Sequence, residues 1–238
     1  MKISDHAVLS FDCYGTLIDW ETGIGTVLRC WADERELPDE TEDLLVAFAA
    51  HQARLEADQP STIYPGILDQ AMRALGEQRG VEVSDDDAKT MAESVPHWPA
   101  FDDSADALRR LSERFALVIL SNVDRESFAA SNAKLGVTFD AILTAQDIGS
   151  YKPAQRNFDV LESTVIGMGY QQPQLLHVAQ SMFHDHQPAK QRGWLTVWIN
   201  RRHGNPGWGA TPPPEALVEP DWTFASLAEF ADAVDSQQ

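Results

Sequence analysis

The stretch AVLSFDCYGT, residues 7–16, joins an apolar run to a short polar motif. The run AVLSF has the length and composition of a strand that is buried on both faces. Asp12 follows at the end of this predicted strand, and Gly15 and Thr16 come shortly after it. Tyr14 stands where a second carboxylate could have followed Asp12. The stretch therefore predicts a single acid at the tip of a strand.

Further apolar runs of strand length lie along the chain, and helical patterns separate them. The runs are FALVILSN (115–122), AILTA (141–145), QLLHVAQS (174–181) and LTVWIN (195–200). The patterns before them are DSADALRRLSER, RESFAASNAKLG, which Gly136 closes, AQRNFDVLESTVIGMG and PAKQRG. This alternation predicts βαβ units and an α/β fold with a doubly wound, Rossmann-like parallel sheet.

Residues 20–98 break the alternation, because they hold helical patterns and no convincing strand. We therefore predict a core domain of residues 1–19 and 99–238, with an inserted all-helical cap domain of residues 20–98. The tail after Asn200 is rich in Gly and Pro. It predicts a surface loop, followed by the short closing helix SLAEFADAV.

The charge of the chain narrows the range of partners. Its 18 basic and 37 acidic residues give a formal net charge of −19, which repels nucleic acid and anionic lipid. No apolar run approaches the roughly 18 residues of a membrane span, and MKISDHAVLSF lacks the features of a signal peptide. We expect no nucleic-acid partner, no membrane association and a cytoplasmic location. Cys13 and Cys30 are too few for a disulfide framework, so we expect both to be reduced.

Polar side chains follow four of the predicted strands, at the end where a parallel sheet binds its ligands. In chain order these groups are Asp12, Tyr14 and Thr16; Ser121, Asn122 and Asp124; Ser150, Tyr151, Lys152 and Pro153; and Gln180, Ser181, His184 and Asp185. The strand interiors are almost purely apolar by contrast. The sequence therefore predicts a polar site at one edge of the sheet.

This order of motifs resembles the haloacid dehalogenase superfamily, and FDxYGT resembles its L-2-haloacid dehalogenase (type II) branch. The four signatures are FDCYGT, the LSN of FALVILSN, the YKP of GSYKPAQRNF and the HD after LLHVAQS. Phosphatases of that superfamily carry Asp-x-Asp, whose second acid protonates the leaving oxygen. Tyr14 replaces that acid here. Because a halide leaves without a proton, the motif favours carbon–halogen cleavage over phosphate ester hydrolysis.

The resemblance implies a reaction and its principal residues. Asp12 would attack Cα of a short (S)-2-haloacid, a small halogenated carboxylate, and expel halide with inversion; water would then hydrolyse the aspartyl ester to an (R)-2-hydroxyacid. Lys152 would keep Asp12 ionised, and Asp185 would pair with Lys152. The resemblance implies no metal and no cofactor. Dimers are common among the relatives, so we also expect a homodimer.

The resemblance also implies residues that bind the substrate. Thr16 would bond the nucleophile, and Ser121 would bind the substrate carboxylate. Asn122 would contribute to the halide cradle. Tyr14 and Ser181 complete the predicted substrate-binding set.

The chain departs from the family pattern in three places. Phe158 stands where the best-known members have tyrosine, so a hydroxyl contact is lost. The usual Ser-Asn-x-x-Asp after the fourth strand becomes QSMFHD, residues 180–185, and loses its asparagine. The halide-binding arginine of the cap falls in AAHQARLEA, where Arg54 is our first choice and His51 our second.

The loss of the asparagine suggests a substitute for activating water. His184 lies beside the predicted rim acid, and a neutral imidazole can accept a proton from water near neutral pH. Glu21 follows the first motif and could orient the imidazole. We therefore hypothesise that a His184–Glu21 pair activates the water that attacks the ester.

Each of these residues also has a structural interpretation. His184 could equally well be a helix cap, Ser121 and Asn122 could cap the next helix, and Arg54 could simply lie on the surface. Two other functions remain open: a phosphatase or other small-molecule hydrolase of the same fold, and a non-catalytic protein that binds a small carboxylate. Asp12 and Lys152 together argue against the binding protein, because a nucleophile facing an anionic ligand does not help binding.

Overall fold

The computed structural model describes residues 2–237, so Met1 and Gln238 of the predicted core domain lie outside the described residues. Its strands are β1 (Val8–Phe11), β2 (Ala116–Ser121), β3 (Ala141–Thr144), β4 (Leu175–Ala179), β5 (Leu195–Ile199) and β6 (Trp222–Phe224). They form a six-stranded sheet in the order β3-β2-β1-β4-β5-β6. All neighbouring strands are parallel. The prediction of a doubly wound α/β fold is confirmed.

Nine α-helices lie between strands in the chain within residues 2–237, and α10 follows the last strand. They are α1 (Trp20–Glu34), α2 (Thr41–Asp58), α3 (Tyr64–Arg79), α4 (Asp85–Ala92), α5 (Ser104–Ser112), α6 (Arg125–Leu135), α7 (Ala145–Ile148), α8 (Gln155–Gly167), α9 (Gln187–Gln191) and α10 (Leu227–Asp235). Gly136 ends α6 in the left-handed conformation, as the sequence predicts. Within residues 2–237, no helix combines the length and the apolar composition that crossing a bilayer requires.

Helices α1 to α4 follow β1 and precede β2, and we call residues 20–98 the helical segment. Asp19 begins α1 by accepting a hydrogen bond from the Thr22 backbone N–H at 3.1 Å. Helix α2 packs against both α1 and α3, and buried apolar side chains such as Phe48 fill the space between them. The division of the chain into a core and a cap domain stays a prediction.

The predicted strands are confirmed, and the structure adds β6 at the edge of the sheet. The burial of β1 and β4 explains their continuous apolar composition, because every residue of both strands is covered. The strand β6 has three residues and lies in the tail that we expect to be a loop. A strand this short, with side chains that are partly exposed, does not produce the apolar run by which the other strands were predicted.

The strand order places β1 at the switch point of the sheet. Strands β2 and β3 extend from one side of β1, and β4, β5 and β6 extend from the other. A crevice forms beyond the carboxyl end of such a strand, because the connections diverge to either side. The first residue beyond β1 is Asp12.

Candidate active site

Asp12 is held by donors on both carboxylate oxygens. Its backbone N–H donates to the carbonyl oxygen of Val178 in β4 at 3.1 Å, which fixes the chain at the end of the sheet. Its Oδ2 accepts from Thr16 Oγ1 at 2.7 Å, and its Oδ1 accepts from Lys152 Nζ at 2.8 Å. The side chain is buried. The carboxylate is therefore fixed in position and shielded from bulk water.

A tight turn after Asp12 brings Thr16 back to the carboxylate. The backbone N–H groups of Leu17 and Ile18 donate to the carbonyl oxygen of Cys13 at 2.7 and 3.0 Å. Gly15 has φ +90°, which glycine adopts without strain, and a Cβ there would lie 3.0 Å from Nε1 of Trp20. The glycine of the motif is required by the turn.

Lys152 joins two carboxylates beneath the surface of the site. Its Nζ donates to Asp12 Oδ1 and Asp185 Oδ1, both at 2.8 Å, and to the carbonyl oxygen of Leu120 at 3.0 Å. All three protons of the ammonium group are engaged, and the residue is 2% exposed. Burial alone would lower the pKa of Lys152, but the two carboxylates raise it above its usual range. The lysine is charged throughout the physiological range of pH.

The pKa values of the two acids that share Lys152 are shifted in opposite directions. Burial opposes the ionisation of Asp185, but Lys152 and a hydrogen bond from His177 outweigh it and hold the pKa of Asp185 below its usual range. Burial also dominates at Asp12, whose pKa lies above its usual range even though Lys152 and Thr16 favour the ionised form. Asp185 therefore carries a permanent charge, and the ionisation of Asp12 depends on Lys152 and Thr16.

A buried hydrogen-bond chain continues below Asp185. His177 Nε2 is hydrogen-bonded to Asp185 Oδ1 at 2.9 Å, and His177 Nδ1 to Ser10 Oγ at 2.8 Å. Ser10 and His177 face each other across β1 and β4. Neither residue was predicted from the sequence. The available signal was a polar residue in each of two otherwise apolar runs, VLSF and LLHVA.

Asn122 fixes the backbone of Lys152. Its Oδ1 accepts from the Lys152 N–H at 2.7 Å, and its Nδ2 donates to the Lys152 carbonyl oxygen at 3.0 Å and to Glu56 Oε2 at 3.1 Å. Both amide protons are thus engaged by the protein. Ser121 precedes it, and the buried Ser121 Oγ has no partner among residues 2–237.

A cavity of about 20 Å³ lies over these groups. Its lining includes seven predicted residues and three that our sequence analysis did not assign to the site: Asp12, Tyr14, Asn122, Lys152, Ser181, His184 and Asp185, with Trp20, Gln52 and Tyr64. Such a volume holds about one water molecule. The structure brings half of the residues predicted at the strand ends together around one small cavity.

Tyr14 contributes an apolar wall rather than a proton donor. Its hydroxyl is hydrogen-bonded to Ser131 Oγ at 2.9 Å. Its ring stacks on Tyr64 with the ring centres 6.3 Å apart, and Trp98 meets it edge-on at 5.4 Å. Burial raises the pKa of the Tyr14 hydroxyl well above its usual range. Tyr14 therefore stays neutral.

His184 lies in a single π-helical turn, Met182–His186, that follows β4. Its backbone N–H donates to Ser181 Oγ at 3.0 Å, and its Nδ1 is hydrogen-bonded to the same hydroxyl at 3.1 Å. Its Nε2 is buried and has no partner within the described part of the chain. Burial lowers the pKa of His184 to about 4, so the imidazole is neutral at physiological pH.

The hypothesis of a His184–Glu21 pair is wrong. The Glu21 carboxylate accepts from Arg202 Nη1 at 2.6 Å and from the Ala210 N–H at 2.8 Å. Both donors belong to the tail between β5 and β6. Glu21 therefore anchors this tail to the start of α1, and Ser181 is the observed partner of the His184 ring.

The predicted halide contacts from α2 are also wrong. The Arg54 side chain is 79% exposed, and its Nε lies 3.6 Å from Asp58 Oδ2. His51 Nε2 is hydrogen-bonded to Gln78 Oε1 at 2.8 Å, on another face of the helix. Gln52 lines the cavity instead. The helical period explains the difference, since Phe48, Gln52 and Glu56 share the buried face of α2.

Glu56 is a buried acid that our sequence analysis missed. It is 2% exposed, and its Oε1 accepts from Gln52 Nε2 at 2.9 Å. Its Oε2 accepts from Asn122 at 3.1 Å. Burial raises the pKa of Glu56 to about 8. The sequence did carry a signal for Glu56: it lies at helical spacing from Phe48, on the face of α2 that the apolar residues occupy.

The fold and the site together define a class of protein. It is a Rossmann-like α/β enzyme that presents one buried acid, paired with a lysine, at the switch point of its sheet. The family model of the haloacid dehalogenase-like hydrolases matches residues 6–163. The chain therefore belongs to the haloacid dehalogenase-like hydrolase family.

Two curated relatives and one solved structure extend this finding. An (S)-2-haloacid dehalogenase of Pseudomonas sp. (strain YL) is 27% identical and aligns with 92% of this chain and 90% of its own. One from Pseudomonas putida is 25% identical over 82% of this chain and 84% of its own. The L-2-haloacid dehalogenase from Xanthobacter autotrophicus with chloropropionic acid covalently bound has a TM-score of 0.77 at 19% identity, covering 98% of this chain and 100% of that one. This structure shares the fold.

Proposed function

We propose that the protein hydrolyses short (S)-2-haloacids to (R)-2-hydroxyacids through an ester on Asp12. The enzyme is a hydrolase that acts on carbon–halide bonds, and its curated relatives are (S)-2-haloacid dehalogenases. One observation carries the proposal. Asp12 is fixed between Thr16 and Lys152, while Tyr14, at the position of the second acid, directs its hydroxyl to Ser131.

In the first step, an oxygen of ionised Asp12 forms a bond to Cα as the carbon–halogen bond breaks. The bonding electrons leave with the halide, and Cα is inverted. No proton is transferred, so a site with one acid is sufficient. The covalently bound chloropropionic acid of the Xanthobacter autotrophicus enzyme supports an intermediate of this kind.

The substrate is an anion that must approach an ionised acid. Lys152 offsets part of this repulsion through its charge, and the free hydroxyl of Ser121 is the proposed donor to the substrate carboxylate. Both amide protons of Asn122 are engaged, so halide binding by Asn122 requires the Nδ2 proton on Glu56 to be shared with the halide. Gln52 is the other amide that lines the cavity.

In the second step, water attacks the carboxyl carbon of the Asp12 ester and gives a proton to His184. The bond from that carbon to the hydroxyacid oxygen breaks, and the oxygen takes the proton from His184. Asp12 is restored, with net release of one proton to solvent. This role requires the tautomer in which Nδ1–H donates to Ser181 Oγ, because the lone pair of Nε2 is then free to accept.

The volume of the cavity bears on substrate size. About 20 Å³ accepts a water molecule but not a haloacid, so the helical segment and the sheet must separate for the substrate to enter. We therefore expect the smallest substrates, such as chloroacetate and 2-chloropropionate, to be turned over best. The homodimer stays a prediction from the family resemblance.

Halide release from (S)-2-chloropropionate in metal-free buffer tests the proposed function. The wild-type enzyme should release one halide per hydroxyacid formed, and Asp12→Asn should release none, because an amide oxygen is a poor nucleophile. The exposed variant Glu77→Gln should match the wild type. Phosphate release from a generic ester in the presence of Mg²⁺, without halide release, would show instead that the protein is a phosphatase.

A further inference from the structure

We propose that Glu56 is a pH-sensitive positioning residue: in its neutral form it joins α2 to Asn122 and closes the site, and loss of its proton opens the site. The inference rests on the proposed dehalogenase function for its kinetic consequence. It concerns an acid with no part in the chemical steps above.

The contacts of Glu56 connect the helical segment to the nucleophile. Glu56 lies on α2, and its carboxyl group accepts from Asn122 Nδ2 at 3.1 Å. Asn122 in turn bonds both the N–H and the carbonyl oxygen of Lys152, whose Nζ reaches Asp12. A movement of Glu56 is therefore transmitted through one amide to the backbone of the lysine that keeps Asp12 ionised.

A second contact between the helical segment and the sheet lies next to the first. The Tyr151 hydroxyl donates to the carbonyl oxygen of Thr62 at 2.6 Å, in the connection between α2 and α3. Tyr151 is the neighbour of Lys152 in the chain. The Tyr151 and Glu56 contacts together hold α2 and its connection over the loop that carries Lys152.

Burial of Glu56 outweighs the groups that would stabilise its charge: the hydrogen bonds from Gln52 and Asn122 and the charge of Lys152 lower its pKa, but burial raises it by more. Within residues 2–237 Glu56 forms no salt bridge at 4.0 Å or less, and the charge of Lys152 is already shared by Asp12 and Asp185. The titratable groups that face it are Lys152 and Tyr151 from the loop before α8, Tyr64 from α3 and His184 from the turn after β4. A buried carboxylate without a salt bridge is unfavourable even with the two amide donors Gln52 and Asn122, so ionisation favours the open arrangement in which water reaches it.

The neighbouring cavity gives Glu56 a direct effect on anions. A cavity of about 370 Å³ lies between α2 and residues 150–154, and its lining includes Glu56, Lys152, Phe183 and His184. An anion that approaches Lys152 from this side passes the Glu56 carboxyl group. The neutral group admits it, and the ionised group repels it.

The pH profile of kcat/KM for (S)-2-chloropropionate tests the inference. Because the pKa of Glu56 is raised to about 8, kcat/KM of the wild type should fall about tenfold between its plateau and pH 9. Glu56→Gln, which cannot ionise, should stay within about twofold from pH 6.5 to pH 9. Gln52 can turn its amide to bond the new side chain. The matched control Glu77→Gln, on an exposed site of α3, should follow the wild type.

Calorimetric binding of propionate, an unreactive carboxylate, separates this inference from the proposed function. Its affinity should fall between pH 6.5 and pH 9 in the wild type and in Glu77→Gln, but not in Glu56→Gln. If no haloacid loses halide, the proposed function is wrong, and propionate binding still decides the role of Glu56. Equal declines in the wild type and Glu56→Gln would overturn the inference. Glu56→Leu also lacks the titration and replaces Glu56→Gln if the latter does not fold.

Discussion

At the scale of single residues, His184 combines a free ring nitrogen with burial. The Nδ1 bond to Ser181 fixes the ring, and Nε2 has no partner within residues 2–237. A pKa of about 4 keeps the imidazole neutral above pH 5, so its capacity to accept a proton does not titrate near neutrality. The same low pKa makes the imidazole a weak base for the proposed ester hydrolysis.

Substitution His184→Ala should separate the two half-reactions. Halide release should stop after about one equivalent per site, and kcat should fall by about 10²–10⁴-fold, because the ester forms but lacks a base for its hydrolysis. Mass spectrometry of the quenched enzyme should find the adduct on the peptide that contains Asp12. The control variant His51→Ala, at a half-buried position that does not line the cavity, should turn over normally. Normal turnover of His184→Ala without an adduct would exclude this role for the imidazole.

The residues that could be predicted are those whose position the strands determine. Asp12, Lys152 and Asp185 meet because each follows a strand and parallel strands end at one edge. The partner of Glu21 could not be predicted, since Arg202 comes from a Gly- and Pro-rich tail with no regular pattern. The burial of Glu56 could have been predicted from the sequence, because the helical period of α2 extends its buried face to that position.

At the scale of elements, the apolar runs were sufficient to predict the core of the sheet, since buried parallel strands require them. The three-residue strand β6 could not be predicted in this way, because an edge strand needs little apolar sequence.

The packing of the helical segment depends on particular side chains. Trp98 is buried, meets Tyr14 and Tyr64 edge-on and donates from Nε1 to Ser94 Oγ at 3.0 Å. It occupies the space beside Gly23 of α1.

Substitution Gly23→Ala should destabilise the protein. A Cβ at this position would lie 2.2 Å from Cδ1 of Trp98, which its other contacts hold in place. Overpacking of this kind costs about 1–3 kcal/mol and exceeds the gain of up to about 1 kcal/mol in helix propensity. Gly167→Ala in α8 is the control, because a Cβ there meets nothing within 4 Å and should be neutral or stabilising. Urea denaturation measures both, and a stabilised Gly23→Ala would show that the Trp98 contact is not rigid.

At the scale of the whole molecule, the site places carboxylates inside a protein whose net charge is already −19. Burial raises the pKa of Asp12 and Glu56, so both acids are harder to ionise in the folded protein than in the unfolded chain. Asp185 acts in the opposite sense, because Lys152 and His177 lower its pKa despite its burial. A single pH curve therefore mixes opposing contributions, and a comparison of two variants isolates one of them.

The difference in unfolding free energy between the wild type and Glu56→Gln should grow with pH. Because folding raises the pKa of Glu56 from 4.5 to about 8, its contribution to stability is complete below pH 4.5 and is lost as pH rises through about 8. Relative to the wild type, Glu56→Gln should therefore gain a few kcal/mol between pH 5 and pH 9. Urea denaturation at both pH values measures this change, with Glu77→Gln as the control that removes an exposed carboxylate. The other acids titrate equally in both proteins, so parallel pH curves for the wild type and Glu56→Gln would mean that Glu56 is ionised in the folded state and that the closed site tolerates its charge.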